Sequence, residues 1–326
     1  MPSVTHTERV DRFVELLHGW YLLHRRELPW RDMWDLEESD RAYRVWISEV
    51  MLQQTQVSRV IGSYKKFIQQ FPTVHDLAKA TNAEILVAWR GMGYNSRALR
   101  LRDGAKIVSE QFGGRFPYDV QTLQTIKGIG AYTAGAIRTF AFDAATIAID
   151  VNVRRILQRV FVGPEEPDGN WKTTDKQLAV IMFDVLSAWR DHQYKPSDLL
   201  SALMDYGSLV QTKNNPKWDI CVLTEAGITK ATPKNWTPPI RGAAKEKLRK
   251  EPGRYVGPAY VPNRIFRGRI VEALRDHPDG LNFEEIGKWI SPDHREELKE
   301  WQEQLIKKLI QDGMLKKTGE KYVLAD

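Results

Sequence analysis

Two carboxylates and one glycine-bracketed turn are the parts of this chain best suited to chemistry. In Ala148-Ile149-Asp150-Val151-Asn152-Val153-Arg154-Arg155-Ile156, Asp150 ends an apolar, strand-like run and precedes a helix, with Asn152 two residues on. A carboxylate at a helix N-terminus stays ionised and is placed to oppose a developing cation. Asp is equally a common N-cap, and the local sequence does not separate the two roles. In Trp46-Ile47-Ser48-Glu49-Val50-Met51-Leu52-Gln53-Gln54-Thr55-Gln56, Glu49 stands among apolar residues. Such a setting raises a carboxyl pKa and keeps a proton available for donation. A partly exposed helix glutamate without that role fits the same string. In the third segment, Leu123 to Ala136, an apolar helix end meets a small-residue helix start through Gly128-Ile129-Gly130. Glycines admit close backbone approach, and the first N–H groups of the following helix can hold a phosphate. A plain interhelical turn has the same appearance.

The elements that must position these residues are helical. From Glu8 to about Ser208, apolar residues recur at intervals of three and four, as in Val10, Phe13, Val14, Leu17 and in Val45, Trp46, Val50, Leu52. Gly and Pro punctuate the run at Phe71-Pro72, Gly91-Met92-Gly93, Gly113-Gly114, Phe116-Pro117 and Gly163-Pro164. Residues 1–228 are therefore expected to be all-α. Residues 229–262 carry six prolines among basic residues and read as an extended linker. Residues 263–326 read as helices over 264–275, 283–290 and 292–311, the last with Pro292 in its first turn, followed by a hairpin over 314–324. Helix, helix, helix, hairpin is the order of a winged helix.

Composition narrows the function classes. With 42% hydrophobic residues the 326-residue chain has material for real cores and two domains. Lys and Arg outnumber Asp and Glu by 48 to 42. That excess is a mild pointer to an anionic partner. It is also local: residues 1–229 sum to +1, residues 230–254 to +6 and residues 255–326 to −1. The linker is thus a candidate strap along a nucleic acid. A single cysteine, Cys221, excludes a disulfide framework and a Cys-rich metal centre. The seven His show no ligand spacing, so no zinc site is expected. Thr139 to Ile149, the most apolar stretch, is interrupted by Asp143, so no membrane span is expected. The N-terminal residues lack the order of a secretion signal, and the expected setting is intracellular, cytoplasmic and nucleoid-associated.

Taken in order, Leu28-Pro29-Trp30-Arg31, Trp46 to Gln56, Gly91-Met92-Gly93-Tyr94, the Gly-Ile-Gly hairpin and Asp150 resemble one family over about Leu17 to Leu223. They are similar to the helix–hairpin–helix DNA glycosylases, and most similar to the MutY adenine glycosylases. The resemblance implies a mainly α fold of two helical lobes, followed here by the winged-helix-like region. It also implies that Glu49 protonates adenine N7 and later helps activate water, while Asp150 stabilises the oxocarbenium ion with support from Asn152. Tyr132 stands where lyase branches hold a nucleophilic Lys, which implies a monofunctional glycosylase. Trp30, Arg31 and Ser201 would border the base pocket. Gln53, Gln54, Tyr94, Gly128, Gly130, Tyr132 and Thr133 would contact DNA, with Gln54 and Tyr94 entering the duplex around the flipped base.

Departures from the family pattern sharpen these expectations. The four Cys that hold a [4Fe–4S] cluster in the family correspond to Gln211, Trp218, Cys221 and Gly227, so no cluster and no other cofactor is expected. A family Gln that contacts adenine is replaced by Ser201, and the Gly between the family's Asp and Asn by Val151. The β-rich domain that recognises 8-oxoguanine is replaced by residues 263–326. There Asp293, Glu296, Glu297, Glu300 and Glu303 oppose only Arg295 and Lys299 at the start of the long helix, which phosphates would repel. A docking or protein-partner role is expected of that region. The resulting expectation is a monomeric enzyme that excises adenine opposite 8-oxoguanine or guanine from double-stranded DNA. A thymine or uracil glycosylase acting opposite guanine shares the hairpin, the Tyr and the Asp, and Glu49 tilts the choice toward a purine. A non-catalytic DNA-binding protein would not need both carboxylates.

Overall fold

The computed structural model describes residues 4–166, 168, 170, 171, 173–238, 251–291 and 296–326. They fall into two units. One takes the described residues of Met1–Trp46, Pro117–Thr125 and Ile129–Arg241; the other takes those of Ile47–Phe116, Ile126–Gly128 and Gly242–Asp326.

In chain order, α1 (His6–His24) and the start of α2 (Glu38–Leu52) belong to the first unit. The rest of α2, α3 (Val57–Gln70), α4 (Val74–Lys79), α5 (Asn82–Ala88) and α6 (Ser96–Gln111) belong to the second. The chain returns to the first unit with α7 (Val120–Thr125), α8 (Ala131–Phe142), α9 (Val151–Leu157) and a π-helical turn, Gln158–Val162. There α10 (Asp175–Asp191), α11 (Pro196–Leu209) and α12 (Val222–Glu225) follow. The C-terminal residues add to the second unit the hairpin β1 (Gly253–Val256) and β2 (Ala259–Pro262), then α13 (Asn263–Asp276), β3 (Leu281–Asn282) and α14 (Phe283–Ile290). They end in α15 (Lys299–Gln311) and the hairpin β4 (Leu315–Thr318) and β5 (Lys321–Leu324).

The first unit is organised around α1. Thr5 and Glu8 form a reciprocal cap at its start, and Val10, Phe13, Val14, Leu17, Trp20 and Tyr21 line its buried face at helical spacing. These residues join one core with Val153, Ile156 and Leu157 of α9 and with Leu199, Leu203 and Tyr206 of α11. In the second unit, Thr73 with Asp76 and Thr81 with Glu84 repeat the capping device at α4 and α5.

Around α13 a second core forms, from Phe266, Ile270, Val271, Leu274, Ile286, Ile290, Leu305 and Leu309, closed by an antiparallel sheet in the order β3-β5-β4. Leu281 pairs with Tyr322, and Leu315 with Leu324. Leu86 of α5 and Leu99 of α6 belong to this same cluster. Asn82 donates to the Gly313 carbonyl at 2.7 Å, and Arg275 to that of Leu86 at 2.8 Å. The C-terminal region therefore docks on its own chain.

The expected helices are present, with three differences. Residues 143–150, read as strand-like, have no regular structure, because no neighbouring strand offers them a ladder. The linker shortens from both ends. Ile228 and Ala231 are fully buried with the first unit, and Gly253 to Pro262 pair as β1 and β2, with Gly257 at φ +56° in the turn. Pro252, Pro258 and Pro262 fall before, between and at the end of these strands, where no ladder N–H is lost. The basic middle of the linker, 239–250, and Pro292, Asp293 and Arg295 at the expected start of the long helix lie outside the described residues. Among the described residues no helix is long and apolar enough to cross a membrane.

Candidate functional site

In the first unit, Asp150 takes the N-cap role that its sequence allowed. It caps α9, its Oδ1 accepting from the N–H groups of Asn152 at 2.8 Å and Val153 at 2.7 Å. Its Oδ2 accepts from the Asn152 side chain at 2.9 Å. Arg155, buried, donates to Asn152 Oδ1 at 3.1 Å and to the carbonyls of Gly207 and Gln211. The amide of Asn152 is thus fixed from behind while it holds the carboxylate in front. Burial pushes the Asp150 carboxyl above the ordinary value of 3.8, against the hydrogen bonds from Val153 and Asn152 and the charge of Arg155.

Two glycines let this segment close. A Cβ on Gly135 of α8 would stand 3.0 Å from Ala148 Cβ, and one on Gly207 of α11 would stand 2.8 Å from Asn152 Cβ. Neither glycine was singled out by sequence, because only the partner helix makes its missing side chain necessary.

Trp30, Arg31 and Ser201 come together around one cavity in this unit, with Tyr21, Trp34 and Asp198. Its volume is about 20 Å³, room for a water and not for a base. Arg31 makes a two-pronged contact with Asp205, at 2.9 and 2.8 Å, and Arg26 donates to the same carboxylate from its backbone and its Nε. Asp205 is fully buried. Burial alone would raise its pKa, but the hydrogen bonds and charges of Arg31 and Arg26 outweigh this and hold the carboxyl below its ordinary range. Sequence reasoning missed Asp205. Its signal was an acid in the apolar helical run Leu199 to Tyr206, with two arginines available near Trp30.

Gly130 caps α8, whose first N–H groups have no helical acceptor. Tyr132 in that turn is half-buried, its hydroxyl 3.9 Å from Met204 Sδ. Thr133 is buried, so a contact with DNA from this position has to come from its backbone.

In the second unit, Glu49 is buried on α2, beside buried Ser48, which removes the option of a solvated helix glutamate. Gln53 and Gln54 follow in an exposed turn, and Gln54 takes φ +57°. Tyr94 is 46% exposed and takes φ +46°. Gly128, at φ +91°, occupies the left-handed region that favours glycine.

One buried residue braces both exposed loops. Arg97 donates to the carbonyls of Val50 at 2.7 Å and Gln53 at 2.5 Å, which end α2, and to those of Met92 at 2.9 Å and Gly93 at 3.2 Å. Burial lowers its pKa to about 10. In sequence Arg97 was one arginine among many; only the fold places those carbonyls around it.

The cluster-ligand positions hold no ligand set for iron. Cys221 is buried, and its sulfur accepts from Gln211 Nε2 at 3.0 Å, Thr224 Oγ1 at 3.1 Å and the Tyr206 hydroxyl at 3.2 Å. Burial, with the neighbouring Cys221, raises the Tyr206 pKa. Gln211 Oε1 accepts in turn from Arg159, whose guanidinium lies over the rings of Trp218 and Trp236. Gly227 is in a turn at φ +70°. One thiol ringed by hydrogen-bond donors does not fit a four-thiolate cluster. Among the described residues, no three His, Cys, Asp or Glu form a metal-binding group.

Residues 47–178 match the family described as HhH-GPD superfamily base excision DNA repair protein. The chain is 31% identical over 315 residues to the adenine DNA glycosylase of Mycolicibacterium smegmatis, covering 96% of this chain and 95% of that one. It is 41% identical over 217 residues to the adenine DNA glycosylase of Homo sapiens, covering 65% and 38%. The chain spans about two fifths of the length of the mammalian relatives it matches. Among solved structures, a thermostable thymine-DNA glycosylase aligns with a TM-score of 0.57 at 23% identity, over 68% of this chain and 95% of that one. A non-covalent endonuclease III–DNA complex aligns at 0.55 and 16% identity, over 75% and 99%. At these identities the likeness is one of fold.

Proposed function

Because the chain belongs to the adenine DNA glycosylases of the helix–hairpin–helix base excision repair superfamily, we propose that it is a monofunctional DNA glycosylase that hydrolyses the N-glycosidic bond of adenine mispaired with 8-oxoguanine or guanine. The arrangement of Asp150 and Asn152 supports this most directly: an anion fixed on both oxygens, with its own positioning amide.

Glu49 acts as the acid. Its proton passes to adenine N7 as the C1′–N9 bond breaks, and the bonding electron pair leaves with the base. The sugar is left as an oxocarbenium ion, which the Asp150 carboxylate stabilises. Water then adds to C1′ and returns a proton to Glu49. Tyr132 offers no amine, so no Schiff base forms at that position and strand cleavage waits for alkali. No step passes through iron.

The test is single-turnover incubation with duplexes holding A:8-oxoG, A:G, T:G and U:G, followed by alkaline strand cleavage. Adenine release is expected from the first two. Release of thymine or uracil without adenine would replace the substrate, and release from none would leave a DNA-binding protein. Glu49→Gln should abolish adenine release while duplex binding persists. Stoichiometric iron in the purified protein would refute the absence of a cluster.

A further inference from the structure

The acidic start of α15 argues against DNA contact by the C-terminal region, but a different face of that region carries the opposite charge. In the second unit a cavity of about 550 Å³ lies between α13 and the loops that follow α2 and α5. Gln54, Arg59, Tyr94, Arg264, Arg267 and Arg269 line it. Its two carboxylates are already matched, Glu272 by Arg90 and Arg275 and Asp312 by Lys308. Arg59 and Arg267 make no ion pair with any described residue. Tyr94 joins the two sides: Arg97 and Arg264 lie 5.6 and 5.7 Å from its ring centroid, and Arg264 Nη1 is 3.4 Å from its hydroxyl. Both Gln54 and Tyr94, non-glycine residues with positive φ, line this cavity. Strained backbone of this kind persists where the surroundings enforce it, and it concentrates at binding sites.

We propose that the C-terminal region binds the DNA backbone through α13, with Arg267, together with Arg59, holding phosphates of a strand whose nucleotide enters this cavity against Tyr94, which Arg264, paired with Glu251, flanks. Guanidinium groups match phosphate oxygens in geometry and charge. An exposed tyrosine ring beside arginine is a face on which a base stacks. The volume lies within the range of small-ligand pockets and accommodates a nucleotide. The inference rests on the glycosylase reading, and it places a DNA contact on the first helix of a region whose long helix phosphates would repel.

The test measures binding of the full chain to duplex DNA, undamaged and holding A:8-oxoG, between 50 and 200 mM salt. Removing one cation from a phosphate lowers the slope of log K against log salt by about 0.9. The double variant Arg59→Gln/Arg267→Gln should therefore lower it by about 1.8, narrowing the affinity ratio between the two salts roughly 12-fold. Arg267→Lys should keep the wild-type slope, since the charge remains. Lys307→Gln, at an exposed position of α15, should leave it unchanged. Matching melting curves establish that the variants are folded. A wild-type slope in the double variant overturns the proposal and leaves an acidic protein segment as the occupant. An equal drop from Lys307→Gln overturns it too, as an effect of net charge alone. Should the slope fall while wild-type protein releases no adenine, the substrate reading fails and the DNA contact stands. Adenine release with unchanged slopes fails the contact alone.

Discussion

Gly207→Ala is the perturbation that best isolates the positioning of Asp150. The new Cβ would stand 2.8 Å from Asn152 Cβ and 3.3 Å from its Cγ and Oδ1. Aliphatic carbons rest at about 3.5–4.0 Å, so α9 and α11 must part there by about 1 Å. Both bonds from Asn152 to Asp150 lie within the first turn of α9, so the shift carries Asp150 along by about the same distance. Misplacing a catalytic group by about 1 Å costs on the order of 100-fold in rate. Stability changes by no more than a comparable amount. Overpacking costs about 1–3 kcal/mol, and replacing a helical Gly by Ala returns up to about 1 kcal/mol. Melting should fall by about 12 °C at most, at roughly 2–4 °C per kcal/mol. Single-turnover adenine release and a melting curve read the two effects separately. Gly19→Ala in α1, where nothing lies within 4 Å of the new Cβ, is the control that leaves the rate alone. A wild-type rate in folded Gly207→Ala protein would show that the Asn152 contact does not set the geometry of the reaction.

Asn152→Ala removes the side-chain donor to Asp150 Oδ2 and leaves the two backbone bonds. Burial already raises the Asp150 pKa, and the loss raises it further. Since the ionised form opposes the cation, the acid limb of the pH–rate profile should move to higher pH; an unmoved limb would detach Asp150 from that limb. Asp205→Asn should cost about 3–5 kcal/mol in urea unfolding, because it strands the guanidinium of Arg31. The folded pKa of Asp205 lies below its ordinary 3.8, so its contribution is present above that value and lost as pH falls through the lower one. The variant should lack this acid-dependent step, and an unchanged acid limb of stability would count against the ion pair. Arg97→Met should loosen both exposed loops, and on the proposed function weaken duplex binding severalfold, while Arg97→Lys restores part of it. Equal binding by both variants and wild type would mean the loops hold themselves.

Legibility in the sequence followed the range of the interactions. The helices of both units, the capping of α9 by Asp150 and the helix order of the C-terminal region rest on residues a few positions apart, and periodicity and capping chemistry reach that far. The hairpin of β1 and β2 was hidden by its prolines, whose meaning depends on their exact places in the ladder. Asp205, Arg97 and Gly207 were invisible for a different reason. Each answers a need created by a distant segment: two arginines at 26 and 31, carbonyls ending α2, the side chain of Asn152. Trp30, Arg31 and Ser201 line one cavity, but the size of the space they border was not written in their order.

The shared core of α5, α6 and α13 bears on how such a chain can change over evolutionary time. Leu86, fully buried, and Leu99 have their cover in Phe266, Ile270 and their neighbours. Fully burying a side chain of this size contributes about 1.5–3 kcal/mol. Recombination that cut the gene just before residue 263 and joined a different C-terminal module would leave that patch on the surface, inviting self-association. A successful exchange has to bring an apolar lid for the same two leucines and a new acceptor for Asn82. Substitutions at Leu86 and Leu99 are therefore tied to those in the helices that cover them.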